Sequence, residues 1–169
     1  MELNWYAIYT KPRWEKKVAD HLTRLSFEAY CPMNKVVKQW SDRKKMIEEP
    51  LFNSYVFVHI PTKQQTPVRQ VNGVVNFVYW LGKPAVIREG EINVIKRFLE
   101  TYENVKVESS TFQIHDRVRI LNGPFEELEG TVVGVNNRSV RVFLPSLGFV
   151  MAADLNKNHL QVINDSVAS

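Results

Sequence analysis

The spacing of apolar and polar positions differs between the first and second parts of this chain, and the change predicts two domains. Up to residue 102, alternating segments are interrupted by stretches whose apolar residues recur every three or four positions, which predicts strands and helices. Beyond residue 113 the pattern consists of short alternating segments, which predicts a small all-β domain over 114–164. The polar segment 103–113 is predicted to be a linker, and 165–169 a tail.

Two segments of the first part have helical periodicity. One follows Pro12, whose missing N–H costs little in a first helical turn. Its apolar residues form one predicted buried stripe, namely Trp14, Val18, Leu22 and Leu25. The other covers 89–102, where acidic residues favour the first turn and the apolar stripe is Ile92, Ile95, Phe98 and Leu99. Residues 62–71 are predicted to be a short irregular or helical link.

Strands are predicted where β-branched and aromatic residues cluster between turn signals. In the first part these are 5–9, 55–60 and 73–80, with an extended segment at 27–37 and a polar hairpin tip at 40–45. The fold class is therefore α+β, an antiparallel sheet flanked by helices. In the second part, strands are predicted at 118–120, 130–135, 140–144, 149–152 and 160–163, with turns at 136–137 and 145–148. Strands this short and closely spaced predict a small closed barrel.

The strand at 55–60 separates two kinds of side chain. Alternation directs its aliphatic residues to one face and Tyr55, Phe57 and His59 to the other. Aromatic rings with polar tips are typical of protein interfaces, so this second face is a candidate docking surface, which Tyr9, Phe52 and Trp80 would extend. The alternative, that these rings fill the second half of the core, stays open for Phe57 in particular.

Positive charge is concentrated in the first part of the chain. Residues 1–101 hold 16 Lys and Arg against 10 Asp and Glu, a net charge of +6, whereas residues 102–169 carry −2. Lys17, His21 and Arg24 share one face of the first predicted helix, and Lys11 and Arg13 lie at its start. Such a cluster suits a phosphate or an exposed base of a nucleic acid. A solvated helix face is the open alternative. The basic tip 43–45 is predicted to be a solvated hairpin tip, with a contact to upstream DNA as its alternative.

Catalytic, metal-binding and nucleotide-phosphate sites have little support in the sequence. The four histidines are scattered without the spacing of metal ligands, and no glycine-rich phosphate loop occurs. The single cysteine, Cys31, excludes an internal disulfide. We therefore expect no enzyme activity, no metal and no cofactor. Without a signal peptide or an apolar run of about 20 residues, we also expect a cytoplasmic monomer with no membrane partner.

Several segments of the first part are recognisable together. The start 4–6 (NWY), the segment 49–58 (EPLFNSYVFV) and the segment 73–78 (GVVNFV) resemble the N-terminal domain, or NGN domain, of the NusG family of transcription elongation factors. The resemblance implies a domain over 1–102 that grips RNA polymerase. One departure is Asn53, where the family usually has proline, which predicts a looser turn before the strand.

The second part resembles the same family in the same domain order. Segments 116–120 (DRVRI), 123–125 (GPF) and 130–132 (GTV) are similar to the family's KOW domain, an SH3-like barrel that also occurs in ribosomal proteins. By this resemblance, Phe125 at a turn would recruit a ribosomal protein or a termination factor. Capping of the barrel core is the open alternative for Phe125. The resemblance spans residues 4–163.

The EPLF motif at 49–52, which begins the segment 49–58, and the short loops of the first part are more similar to specialised members of the family than to its housekeeping factor. Such members are RfaH and the antiterminators of polysaccharide operons. This implies an antitermination factor that suppresses pausing or termination at particular operons. The implied polymerase-binding residues are Tyr9, Phe52, Tyr55, Phe57, Thr66, Trp80 and Ile92. The implied contacts with the nontemplate DNA strand are Lys11, Arg13, Lys17, His21 and Arg24. A general NusG-type factor and a KOW-containing ribosomal or RNA-binding protein are the alternatives.

Overall fold

A computed structural model of the chain describes residues 2–109, 132–135 and 139–154. The chain divides into two compact units, the first formed by Met1–Met33 and Pro50–Lys96 and the second by Asn34–Glu49 and Arg97–Ser169. The first strands are β1 (Asn4–Thr10), β2 (Glu28–Tyr30), β3 (Met33–Gln39), β4 (Lys44–Pro50), β5 (Tyr55–Ile60), β6 (Val74–Phe77), β7 (Tyr79–Trp80), β8 (Lys83–Pro84) and β9 (Val86–Ile87). The later strands are β10 (Lys106–Ser109), β11 (Val132–Val135), β12 (Ser139–Leu144) and β13 (Phe149–Asp154). The helices are α1 (Glu15–Arg24), α2 (Gln65–Arg69) and α3 (Glu89–Thr101), with a 3-10 turn at Thr62–Gln64.

An antiparallel sheet in the order β2-β5-β1-β6 forms the centre of the first unit, and β9 also pairs with β1. The register between β1 and β5 runs from Asn4 opposite Ile60 to Tyr9 opposite Tyr55. The aliphatic side chains of β5 join the apolar stripe of α1 in one buried cluster, including Val56, Val58, Ile60, Val18 and Leu22. The predicted alternation of β5 and the predicted mixed fold of this part are confirmed.

Helix α1 is shorter than its apolar periodicity predicts. It begins at Glu15 and ends at Arg24, so Pro12 precedes it and Leu25 is its C-cap. The Leu25 side chain is 49% exposed, and its predicted place in the buried stripe is wrong. The chain turns away at once because Ser26 adopts the left-handed conformation, with φ of 72°.

The second helical segment and the neighbouring strands are close to prediction. Helix α3 buries Ile92, Ile95 and Phe98, as its spacing predicts. The single strand predicted at 73–80 is divided into β6 and β7, and the link predicted at 62–71 contains the 3-10 turn and α2. Strands β8 and β9 have only two residues each and carry no periodic signal.

In the second unit, β3 and β4 pair as a hairpin whose turn contains the predicted polar tip. The Trp40 N–H donates to the Arg43 carbonyl at 2.7 Å across this turn. The base of the hairpin holds the chain that follows α3: the buried Asn34 amide donates to the Val105 carbonyl at 2.8 Å and accepts from the Val105 N–H at 3.1 Å. Asn34 thereby satisfies both backbone groups of Val105 as a strand partner would.

The other part of the second unit is an antiparallel sheet in the order β10-β13-β12-β11. Strand β10 lies inside the segment predicted as linker, because Lys106–Ser109 pair with β13. The inner face of β12 and β13 is apolar and buried, including Val142, Leu144 and Met151. The strands predicted at 118–120 and 160–163, the turn at 136–137 and the Phe125 tip lie outside the described residues, and the KOW barrel stays a prediction.

None of the helices in the described ranges has the length and apolarity that crossing a bilayer requires.

Candidate nucleic-acid pocket and docking surface

A shallow pocket of about 310 Å³ opens on the exposed side of α1. Three of the predicted nucleic-acid-binding residues, Lys17, His21 and Arg24, line it together, because spacings of four and three residues place side chains on one helix face. The remaining lining side chains are Trp14, Asp20 and Asn72. His21 and Arg24 occupy the last turn of α1, where the helix dipole favours positive charge.

Trp14 forms the aromatic wall of this pocket. The Lys11 and Lys17 ammonium groups lie over its ring, at 5.2 and 5.0 Å from the centroid. Exposed contacts of this kind contribute about 0.5–1 kcal/mol, so either lysine can leave the ring for a phosphate oxygen at small cost. The pocket thus combines mobile positive charge, an aromatic surface, a carboxylate and an amide, which suits a nucleotide better than a simple anion.

The loop that closes the pocket depends on Gly73. This residue has a φ of 96°, and a Cβ added there would lie 2.6 Å from Trp14 Cε3 and 2.7 Å from Val18 Cγ2. Only glycine allows the loop to come this close to α1 in this conformation. The Gly73 carbonyl also accepts from the Lys11 N–H at 2.9 Å, which anchors the loop and places Asn72 at the pocket.

Reading the sequence misses three of the six lining residues, namely Trp14, Asp20 and Asn72. Trp14 was assigned to the buried helical stripe, but it is half-buried and contributes to the pocket. Asn72 gave no signal of its own, although the glycine after it hints at a close backbone approach. Among the predicted residues, Lys11 does not line the pocket, but its ammonium group lies over the ring of Trp14, which does. Arg13 is exposed, has a φ of 69° and does not line the pocket. Their binding of nucleic acid stays a prediction.

Aromatic rings cover the face of the β1–β5 pair opposite to α1. Trp5 stacks on His59 with centroids 4.7 Å apart, and Tyr9 lies against Tyr55 at 5.1 Å. The predicted clustering of aromatic residues on the second face of β5 is therefore present. Lys96 of α3 lies over the Trp5 ring at 5.8 Å, so the first turns of α3 extend across the Trp5 end of this face.

Phe52 links Tyr55 to Phe57 within this aromatic row. Its ring meets those of Tyr55 and Phe57 edge-on, at 6.4 and 5.8 Å. Tyr30 stacks near Phe57 at 6.4 Å. The rings thus support one another from the core to the surface.

Burial divides the predicted polymerase-binding residues into two groups. Phe57, Phe52 and Ile92 are at most 3% exposed. Alternation directs Phe57 to the aromatic face, but the rings of Phe52 and Tyr30 pack near it and its side chain is buried. A contact of these three residues with a partner stays a prediction. They lie beneath the surface and shape it.

The remaining predicted residues are accessible. Tyr9 is 39% and Trp80 63% exposed, Thr66 is exposed on α2, and Tyr55 is half-buried. Burial and a side-chain hydrogen bond with Tyr9 raise the pKa of Tyr55, so its phenol stays neutral. We define Tyr9 and Tyr55, whose rings lie against each other, as the aromatic docking surface. Contact of these residues, and of Trp80 and Thr66, with a partner stays a prediction.

Side chains for other chemistry do not assemble in the part of the chain that the structure describes. No group of three or more His, Cys, Asp and Glu there is arranged to hold a metal ion. Burial, with the Glu15 and Asp20 carboxylates adding to it, raises the pKa of the Cys31 thiol to about 12. A thiol with such a pKa is almost entirely protonated at neutral pH and is a poor nucleophile.

Comparison with known proteins finds a matching family model, similar proteins and a similar solved structure. The family model described as transcription termination factor NusG matches residues 3–96. The transcription termination/antitermination protein NusG of Halalkalibacterium halodurans is 26% identical over 96% of this chain and 100% of its own length. The protein of the same name from Thermus thermophilus is 26% identical over 80% of this chain and 84% of its own. A solved structure of Thermotoga maritima NusG covers 95% of this chain and 96% of its own, with a TM-score of 0.53 at 23% identity, and supports the fold alone.

Proposed function

This chain belongs to the NusG family, and we propose that it is a transcription antitermination factor that binds RNA polymerase and the nontemplate DNA strand. The curated relatives carry termination and antitermination in their names. The observation that carries the proposal is the pocket on α1, where Trp14, Lys17, His21 and Arg24 converge with Asn72. Tyr9 and Tyr55, the accessible residues of the aromatic docking surface, supply a separate site for the polymerase.

The pocket supports a role in reading DNA as well as in holding it. Positive charge alone gives affinity without sequence preference. Asp20 and Asn72 add hydrogen-bond acceptors and a donor that can distinguish base edges. We therefore propose that one unpaired base of the nontemplate strand enters the pocket, and that this confines the factor to particular operons. A KOW-type barrel that recruits a partner through Phe125 completes the proposal.

Two measurements test this proposal together. Pull-down with core RNA polymerase should retain the wild-type chain and lose the Tyr9→Ala/Tyr55→Ala variant. A crosslinking assay on an elongation complex should join the nontemplate strand to the wild-type pocket and severalfold less efficiently to Lys17→Ala, while Lys16→Ala, one residue away and outside the pocket, crosslinks normally. Absence of polymerase from the wild-type pull-down would refute the proposal.

A general factor acting on most transcribed genes is the second candidate, because the curated relatives carry the general name. Chromatin immunoprecipitation separates the two. We expect occupancy confined to a few operons, and occupancy on most transcribed genes would establish the general role instead.

A further inference from the structure

The Glu15 carboxylate lies between the pocket and the docking surface. Glu15 is the first residue of α1 and only 5% exposed. Its Oε2 accepts a hydrogen bond from the Ser54 backbone N–H at 2.7 Å, across 39 positions of sequence. An ionised acceptor makes this bond stronger than one between neutral groups.

The turn that Glu15 holds is in a conformation that serine seldom adopts. Ser54 has a φ of 64°, in the left-handed region that non-glycine residues avoid. The Ser54 carbonyl accepts from the Thr10 N–H at 2.8 Å. The turn is thus held from both sides, and Glu15 supplies the only one of these two bonds that comes from a side chain.

The position of this turn connects two surfaces. Ser54 directly precedes Tyr55, whose ring packs against Tyr9 and Phe52. Glu15 directly follows Trp14, the wall of the pocket. A displacement of Trp14 by a bound nucleotide therefore reaches the residue before Tyr55 through one peptide bond and one hydrogen bond.

We propose that Glu15 is a positioning residue that couples occupancy of the α1 pocket to the arrangement of the aromatic docking surface. The inference rests on the proposed function of both surfaces. The element that transmits the effect is the Ser54 turn, whose left-handed conformation carries the Glu15 hydrogen bond. Coupling of this kind is reciprocal, so a docked polymerase also favours the occupied pocket.

Two conservative variants separate positioning from simple stabilisation of the helix. Glu15→Gln keeps an oxygen acceptor at the same reach but removes the charge from the helix N-terminus. Glu15→Asp keeps the charge but is one methylene shorter and draws the acceptor away from Ser54. A helix-dipole role predicts that Asp replaces Glu better than Gln does, whereas positioning predicts the reverse.

The experiment is an NMR titration of the full chain with a single-stranded thymidine 12-mer at low salt. In the wild type we expect the Trp14 indole, the Asn72 side chain, the Ser54 amide and the Tyr55 ring to shift with one common midpoint. In Glu15→Gln the Ser54 and Tyr55 shifts should persist. In Glu15→Asp the pocket shifts should remain while those of Ser54 and Tyr55 are lost.

Each other outcome has a definite meaning. Ser54 and Tyr55 shifts that survive in Glu15→Asp, or that vanish only in Glu15→Gln, overturn the coupling. Pocket shifts in the wild type without any at Ser54 and Tyr55 also overturn it, and they leave the proposed function intact. Absence of shifts at Trp14 and Asn72 overturns both the pocket and the coupling. Circular dichroism of each variant confirms that it is folded before titration.

Discussion

Helix α1 and strand β5 both carry a proposed binding surface, but they relate to the core in different ways. On α1 the pocket side chains of Lys17, Asp20 and Arg24 are exposed, and the core contacts come from other positions, such as Val18 and Leu22. Trp14, just before the helix, contributes to both the pocket and the core. On β5 the aromatic row continues from the half-buried Tyr55 to the fully buried Phe57. Substitutions at the exposed pocket positions of α1 can therefore change binding alone, whereas substitutions along β5 change binding and stability together unless they are confined to the surface.

The largest expected effect is that of Phe57→Ala, which tests whether β5 is divided into a core part and a surface part. Removing a fully buried phenylalanine should lower the free energy of unfolding by about 3–5 kcal/mol. Tyr9→Ala, on the same aromatic face but 39% exposed, should lower it by about 1 kcal/mol. Urea unfolding followed by circular dichroism measures both. Equal costs for the two variants would show that the row is not divided into core and surface.

The docking surface itself is tested by Tyr9→Ala/Tyr55→Ala. We expect the affinity for core RNA polymerase to fall by about 30-fold or more, because a single aromatic hot-spot residue contributes about 2 kcal/mol and such contributions are not additive. Biolayer interferometry on immobilised polymerase measures this loss. Leu3→Ala is the matched control, since Leu3 is 49% exposed and outside the surface. Unchanged affinity for single-stranded DNA would show that the variant is folded, and unchanged polymerase affinity would contradict the assignment.

The shape of the pocket is tested by two glycine substitutions. Gly73 and Gly82 both have positive φ, at 96° and 79°, so alanine costs roughly 1–2 kcal/mol of backbone strain at either. Only at Gly73 does the new Cβ also collide with Trp14, because nothing lies within 4 Å of a Cβ at Gly82. We expect Gly73→Ala to weaken single-stranded DNA binding by about tenfold, as roughly 1.4 kcal/mol of binding free energy implies, and Gly82→Ala to leave it unchanged. Fluorescence anisotropy with a labelled oligonucleotide measures both; equal effects would mean that the loop is not part of the pocket.

The smallest expected effect is electrostatic. Lys17→Ala should lower DNA affinity severalfold and reduce the slope of log affinity against log salt by about 0.7, the value for one phosphate contact on a single strand. Lys16→Ala removes the same charge from the same helix but outside the pocket. Anisotropy titrations at four salt concentrations compare the two. An identical change in slope would indicate a diffuse charge effect without a specific contact.

Much of the local structure followed from the sequence because it depends on short-range pattern. The alternation in β5 assigned its two faces correctly, since side chains on a strand must alternate. The spacing of Lys17, His21 and Arg24 placed them together, since residues three and four apart are neighbours on any helix. The family and its N-terminal fold were also accessible, because the motifs that carry the resemblance are continuous segments.

Burial was harder to predict where the same residue type serves two purposes. Phe52, Phe57 and Ile92 are predicted as polymerase-binding residues, and all three are buried. Leu25 was expected in the core and is exposed, because the helix ends one residue earlier. An aromatic or aliphatic side chain gives the same sequence signal in both environments, so packing decides between them.

By itself, the sequence determined the periodic elements, the concentration of positive charge in residues 1–101 and the membership of a family. The tertiary structure decided which residues meet across long separations. Asn72 reaches the pocket through the Gly73 turn, Glu15 reaches Ser54 across 39 positions, and Asn34 pairs with Val105 across 71. The physical reason is that such contacts are single hydrogen bonds or close approaches between turns, which leave no periodicity along the chain and exist only once the sheet and its helices have brought the partners together.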